Sequence, residues 1–177
     1  MTRRAAAAIV LALAAGCGAR PAKSEAERTI TDAARGVRYI APEGWKSFDG
    51  EVRSPEGSLL TVRVYDLVEA DKKFVAGLPD TLVPQLTEWA KYYFIVEGAY
   101  TEEPTTVAGL PATEFNYSVR IRRQDPPSKV TYWVVKREQR LFVLRAAYAP
   151  QGLVTDEPTI REVVAHWSFL ETPEKGE

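Results

Sequence analysis

His166 is the one imidazole and Cys17 the one thiol of this 177-residue chain, so nucleophilic and metal chemistry are constrained from the outset. A Cys–His nucleophile pair has a single possible membership, an internal disulfide has none, and zinc sites built from several Cys or His are excluded. No G-x-S-x-G elbow, P-loop or H-E-x-x-H motif occurs. His166 stands beside Trp167 with no serine or cysteine partner near it in sequence, which reads as a capping or partly buried structural histidine rather than a general base. The acid pairs Glu102-Glu103 and Asp156-Glu157 have the composition for acid–base work. Adjacent acids among 24 acidic residues are usually only solvated, so the chain reads as non-catalytic, with no metal and no cofactor.

The basic residues are more pointed. Between Ser118 and Arg145 lie Arg120, Arg122, Arg123, Lys129, Lys136, Arg137, Arg140 and Arg145, opposed only by Asp125 and Glu138. This happens in a chain whose formal net charge is −1, which argues against a general nucleic-acid binder. Arg120, Arg122, Arg123 and Lys129 would gather on the polar face and tip of one hairpin, a candidate contact for an acidic partner, lipid headgroups or a polyanionic glycan. The competing reading is a solvated hairpin balanced by acids elsewhere. Trp45, Trp89, Trp133 and Trp167 each fall in or beside an apolar pattern, so core packing accounts for most of them.

Cys17 sits at the end of a leader. Arg3 and Arg4 precede an unbroken apolar run, Ala5 to Ala15, too short for a membrane span of about 20 residues. The segment Leu13-Ala14-Ala15-Gly16-Cys17 resembles the lipobox of bacterial lipoproteins, with Ala14 where that family most often has Leu. The resemblance implies a signal peptide over 1–16 and a lipidated N-terminal Cys17 carrying two or three acyl chains, palmitate among them. Several chains give a stable anchor where one gives marginal binding. Gly18 in place of an Asp resembles sorting to the outer rather than the inner membrane. The alternative is an ordinary signal peptide with an incidental cysteine. Residues 17–29 are polar and small and read as a flexible tether. Residues 30–171 form one domain and 172–177 a polar tail.

Within the domain, the patterns are those of strands. "LLTVRVYDL" alternates Leu60, Val62 and Val64 with Thr61, Arg63 and Tyr65. "FNYSVRIRR" sets Phe115, Tyr117, Val119 and Ile121 against Asn116, Ser118, Arg120 and Arg122. "VTYWVVK" and "LFVLRAAY" follow across a tight turn, completing an antiparallel meander. Two helices interrupt the strands. Leu82, Leu86, Trp89, Ala90 and Tyr93 share one face of a helix between Asp80 and Val96, capped at Asp80 or Thr81 and ended by Gly98. Ile160, Val163, Val164 and Trp167 share a face of a second, starting at Asp156 or Glu157 with Pro158 at its first position. The fold class is α+β with an antiparallel sheet.

The run Gly36-Val-Arg-Tyr39-Ile-Ala-Pro42-Glu-Gly44-Trp45 resembles the opening of PsbP-like domains, where an aromatic strand enters a Pro-x-Gly-Trp turn. The resemblance continues at Val107-Ala-Gly109-Leu-Pro111, at "LFVLRAAYAP" and at the closing Ser168-Phe169, spanning about residues 36–170. It implies an antiparallel sheet flanked by helices in an α/β/α sandwich. The Asn116–Arg122 face is too polar for a helix layer, so that hairpin is expected to project past the helices. Functionally, the resemblance implies an adaptor: a non-catalytic accessory or assembly subunit of a membrane-associated complex, with a protein partner in the cell envelope. The alternative is a lipoprotein that binds a small ligand or glycan in a cleft between sheet and helix. A hydrolase is third.

Overall fold

The computed structural model describes residues 24–48, 50–67 and 82–170. The leader, Cys17, the Asp80/Thr81 cap and the 172–177 tail lie outside the described residues. A four-residue helix α1 (Glu25–Arg28) leads into β1 (Thr29–Asp32), β2 (Val37–Ile40), β3 (Lys46–Phe48), β4 (Glu51–Arg53) and β5 (Leu59–Asp66). Then come α2 (Leu82–Tyr93), β6 (Ile95–Val107), β7 (Leu110–Arg120), β8 (Ser128–Arg137) and β9 (Arg140–Ala147). A 3-10 turn (Pro150–Gly152), α3 (Leu153–Ala165) and β10 (Ser168–Phe169) close the chain. The main sheet has seven antiparallel strands in the order β3-β4-β5-β9-β8-β7-β6, and a small sheet pairs β1-β2-β10.

The α+β antiparallel class is as expected, and the sheet separates two cores. On one face α2 lays Leu82, Leu86 and Ala90 onto Phe115, Tyr117, Val119, Tyr132 and Val143. On the other, α3 and the small sheet cover Leu60, Val62, Trp133, Val135, Phe142 and Leu144 with Ile160, Val164, Tyr39 and Trp167. Tyr39 and Trp167 stack at 4.4 Å, joining small sheet to helix. Because β8 and β9 are buried on both faces, they read as near-continuous apolar runs.

Several expectations are corrected. The supposed tether is ordered from Ser24 onward: Arg28 Nη1 donates to the Ala41 carbonyl at 3.0 Å, and β1 already starts at Thr29. Helix α2 stops at Tyr93, and Gly98 does not end it. Instead Gly98 (φ +74°) lies where the β6–β7 register shifts between Glu97 and Thr101, a bulge that its freedom at positive φ permits. Helix α3 begins at Leu153, so Pro158 is inside it and Asp156 is buried in its first turn rather than at its start. Ser54 Oγ donates to Asp156 Oδ2 at 2.6 Å, and Ser54 Oγ accepts from the Ser58 amide at 2.9 Å, so this acid fastens the β4–β5 turn to the helix.

The Ala108-Gly109 turn between β6 and β7 has φ of +51° and +76° at its two central residues, as a type I′ hairpin requires. Ala108 there carries a left-handed cost of about 1 kcal/mol that glycine would not. β6 is an exposed edge broken by the bulge, by Pro104 and by Glu102 and Glu103, which blunts pairing with another sheet.

The candidate groove and the basic hairpin

The hairpin basics do not form one free patch. Arg120 Nε donates to Glu97 Oε1 at 2.6 Å and its Nη1 donates to the Asp125 carbonyl, while Lys129 Nζ donates to Glu157 Oε1 at 2.7 Å. Arg120 is therefore held against β6 instead of being exposed, because Ile95 pairs with Arg120 and brings Glu97 diagonal to it. Arg122 and Arg123 remain exposed on the 121–127 turn. Of the four contact candidates, these two are available.

Nor is the polar face of β7 uncovered. Helix α3 lies over its Glu114–Asn116 part with a polar side of its own. Arg161 Nη1 and Nη2 donate to the two oxygens of Glu114 at 2.9 and 2.7 Å, Trp133 Nε1 donates at 2.9 Å and Asn116 Nδ2 at 2.9 Å. Asn116 Oδ1 accepts from Thr131 Oγ1 at 2.8 Å. Burial alone would raise the Glu114 pKa, but these charged and neutral donors outweigh it and hold the carboxyl below its ordinary value. With both oxygens saturated, Glu114 has no room to accept a substrate proton. His166 is exposed at the end of α3, its Nδ1 2.9 Å from the Glu162 carbonyl, and Asp156 is occupied by Ser54. Glu102 and Glu103 are exposed on the β6 edge. The hydroxyl–carboxylate pair Ser54–Asp156 is buried, and no metal-binding cluster is assembled among the described residues.

A groove lies elsewhere, on the α2 face of the sheet beyond the C-terminal end of that helix. Its floor is the row Thr61–Arg145–Tyr132 across β5, β9 and β8, with Arg63 diagonal to Arg145. Its wall is Trp89, Tyr92 and Tyr93 from α2. This part encloses about 300 Å³. It opens into a wider hollow of about 660 Å³ bordered by Arg53, Glu51, Phe94 and Ile121.

Arg63 lies 5.0 Å over the Trp89 ring, which stacks in turn on Tyr65 at 6.2 Å; Arg145 lies 5.3 Å from the Tyr93 ring. The Tyr132 hydroxyl and Arg145 Nε are buried without a hydrogen-bond partner among the described residues. Burial pushes the Tyr132 phenol up to about 12, so it is neutral and able to donate.

The groove residues were legible only in part. Arg145 interrupts the apolar face Leu141–Val143 of β9, and Arg63 stands on the face opposite Leu60 and Val62 of β5. A cation on an otherwise buried strand face was the available signal. Of the tryptophans, Trp133 and Trp167 are core and Trp45 packs against it, whereas Trp89 lines the groove.

No protein-family model matches the sequence, and no curated protein matches it. In solved structures, the chain is similar to the cyanobacterial PsbP protein CyanoP from Synechocystis sp. PCC 6803, at 13% identity and a TM-score of 0.51 over 87% of this chain and 95% of that one. It is also similar to a protein from Bacteroides thetaiotaomicron VPI-5482, at 12% identity and a TM-score of 0.54 over 84% of this chain but half of that longer one. The fold is thus PsbP-like. No helix among the described residues is long and apolar enough to cross a membrane.

Proposed function

We propose that this protein is a non-catalytic envelope lipoprotein, anchored through Cys17 and placed at the outer rather than the inner membrane. There it serves as an accessory or assembly subunit of a membrane-associated complex. One observation carries the reading: a band of exposed apolar side chains at the end of α2 and the adjoining strand ends. Tyr92 is 82% exposed and Ile121 50%, with Tyr93 and Ile95 between them and Arg122 and Arg123 beside them. Tyrosine and arginine around an apolar patch are the composition of partner-binding surfaces. Cys17 and Ser24 are seven residues apart, which spans at most ~25 Å, so an anchor at Cys17 keeps the domain close to the bilayer.

The test is affinity capture of the detergent-solubilised full-length protein beside Arg122→Glu/Arg123→Glu. Arg120 is left intact because it holds Glu97. The expected result is a stoichiometric partner lost in the reversal, while Cys17→Ser leaves the membrane fraction or accumulates as unprocessed precursor. A partner retained by the reversal would move the interface elsewhere, and a lipid-labelled, membrane-bound Cys17→Ser would remove the anchor.

A second reading, a lipoprotein that binds a small ligand or glycan, is favoured by the groove: polar groups converge there beside an aromatic wall, as in ligand sites.

A further inference from the structure

Among the described residues that line the narrow part of the groove, every polar side chain can donate and none is an acid. Arg63 and Arg145 supply two positive charges from diagonal positions on adjacent strands, about 7 Å apart at the backbone. Long guanidinium arms at that separation can close on one tetrahedral oxyanion from two sides. Arg–oxyanion pairs of this kind are charge-assisted and bidentate.

The Tyr132 side chain is 1% exposed, yet its hydroxyl has no partner among the described residues, and Arg145 Nε is in the same condition. Buried donors are nearly always satisfied, and these two belong to one groove, where a single acceptor would complete both. Neither ring contact nor packing replaces that acceptor: Arg145 touches Tyr93 by its charge alone, and Tyr132 meets Tyr117 edge-on.

We propose that this groove binds a phosphate monoester, its phosphoryl oxygens between Arg63 and Arg145 and on the Tyr132 hydroxyl, and its organic body against Tyr92 and Tyr93. A carboxylate carries one charge and would leave one guanidinium unanswered, whereas a phosphate monoester carries nearly two at neutral pH. The inference deepens the ligand-binding reading above and rests on it. The phosphoryl group could belong to a soluble organic phosphate or to a lipid headgroup, and the chemistry of recognition is shared.

The probe is phenyl phosphate, titrated calorimetrically into the full-length protein in detergent. One saturable site is expected. Arg63→Met and Arg145→Met each weaken it at least tenfold, and Tyr132→Phe weakens it several-fold while the thermal midpoint stays level or rises. Arg122→Met on the hairpin tip leaves the affinity unchanged. Should Arg145→Met fail to fold, Arg63→Met at its exposed position and Tyr132→Phe still decide the matter.

Absence of saturable binding, or equal weakening by Arg122→Met, overturns the proposal. Phosphatidylcholine vesicles with and without phosphatidic acid separate the sources. Binding that needs phosphatidic acid and is displaced by phenyl phosphate assigns a headgroup; soluble binding with no vesicle binding assigns a free organic phosphate. A uronic-acid disaccharide that binds with the same arginine dependence while phenyl phosphate does not would overturn the phosphoryl assignment and keep the ligand reading. If neither probe binds, the phosphoryl assignment falls, and the ligand-binding reading falls with it for anionic ligands.

Discussion

Arg161→Leu lowers the stability of the domain by about 3 kcal/mol, roughly 10 °C in thermal midpoint for a protein of this size. The figure sits at the low end of what breaking a buried ion pair costs, because Arg161 is 42% exposed while the Glu114 side chain is 6% exposed. Removing the arginine leaves a carboxylate under α3 with only the Trp133 and Asn116 donors. Replacing both partners, Glu114→Leu with Arg161→Leu, recovers only part of the loss: it removes the uncompensated carboxylate but leaves the Trp133 indole N–H and the Asn116 amide without their acceptor.

The pH profile identifies the mechanism. In the wild-type protein the Glu114 pKa is held below its ordinary value of 4.5, so its contribution is complete above about pH 4.5 and disappears as the pH falls through the lower folded value. In Arg161→Leu, burial prevails and raises the folded pKa above the unfolded one. That contribution is then present below about pH 4.5 and lost as the pH rises. Mild acid should therefore narrow the gap between variant and wild type. Urea titrations at pH 7 and pH 5 read this directly, and a gap that widens in acid would refute the assignment.

Trp167→Ala is the second large effect, about 4 kcal/mol, within the usual range for deleting a buried aromatic. Trp167 is buried between α3 and β10 and stacked on Tyr39 of β2, so its ring joins the last helix, the small sheet and the main sheet. Its loss should loosen β1, β2 and β10 ahead of the seven-stranded sheet, visible as faster amide exchange at Val37 and Tyr39 than at Val135 or Leu144. Trp167→Phe should cost about 1 kcal/mol, because the indole Nε1 has no partner among the described residues and its removal relieves a buried donor while the ring packing is kept. Equal loss in both variants would show that the indole nitrogen matters after all.

What the sequence disclosed follows burial. Strands β7, β8 and β9 and the apolar face of α3 were legible because each is packed on at least one whole face, which imposes alternation or a 3.6-residue period. β6 was not, since "IVEGAYTEEPTTV" lies at an exposed edge and almost nothing in it is buried. Its first residues were absorbed into the preceding helical pattern, extending α2 past Tyr93. Pro158 suggested a helix start, but tertiary packing of Ile160 and Val164 carries α3 through it. The pairing of Arg120 and Lys129 was illegible for a related reason: local charge counts cannot see Glu97 or Glu157, which reach them from other elements. The groove needed three strands and a helix in register before Arg63, Arg145 and Tyr132 could meet.

The strand order also dictates a history. β6 to β9 join neighbour to neighbour through short turns, whereas β5 reaches β9 only after closing a loop that contains α2 and the whole meander. Local hairpins form before such long closures. The newly made chain therefore passes through a stage in which β9, "RLFVLRAA", is an open apolar edge and the Arg63–Arg145 pair does not yet exist. Pulse-labelled amide exchange should find β5 protected after β7 and β8; simultaneous protection would deny the stage. During that interval the molecule is at its most prone to self-association, and a chaperone in the compartment where it folds would have β9 as its natural handle.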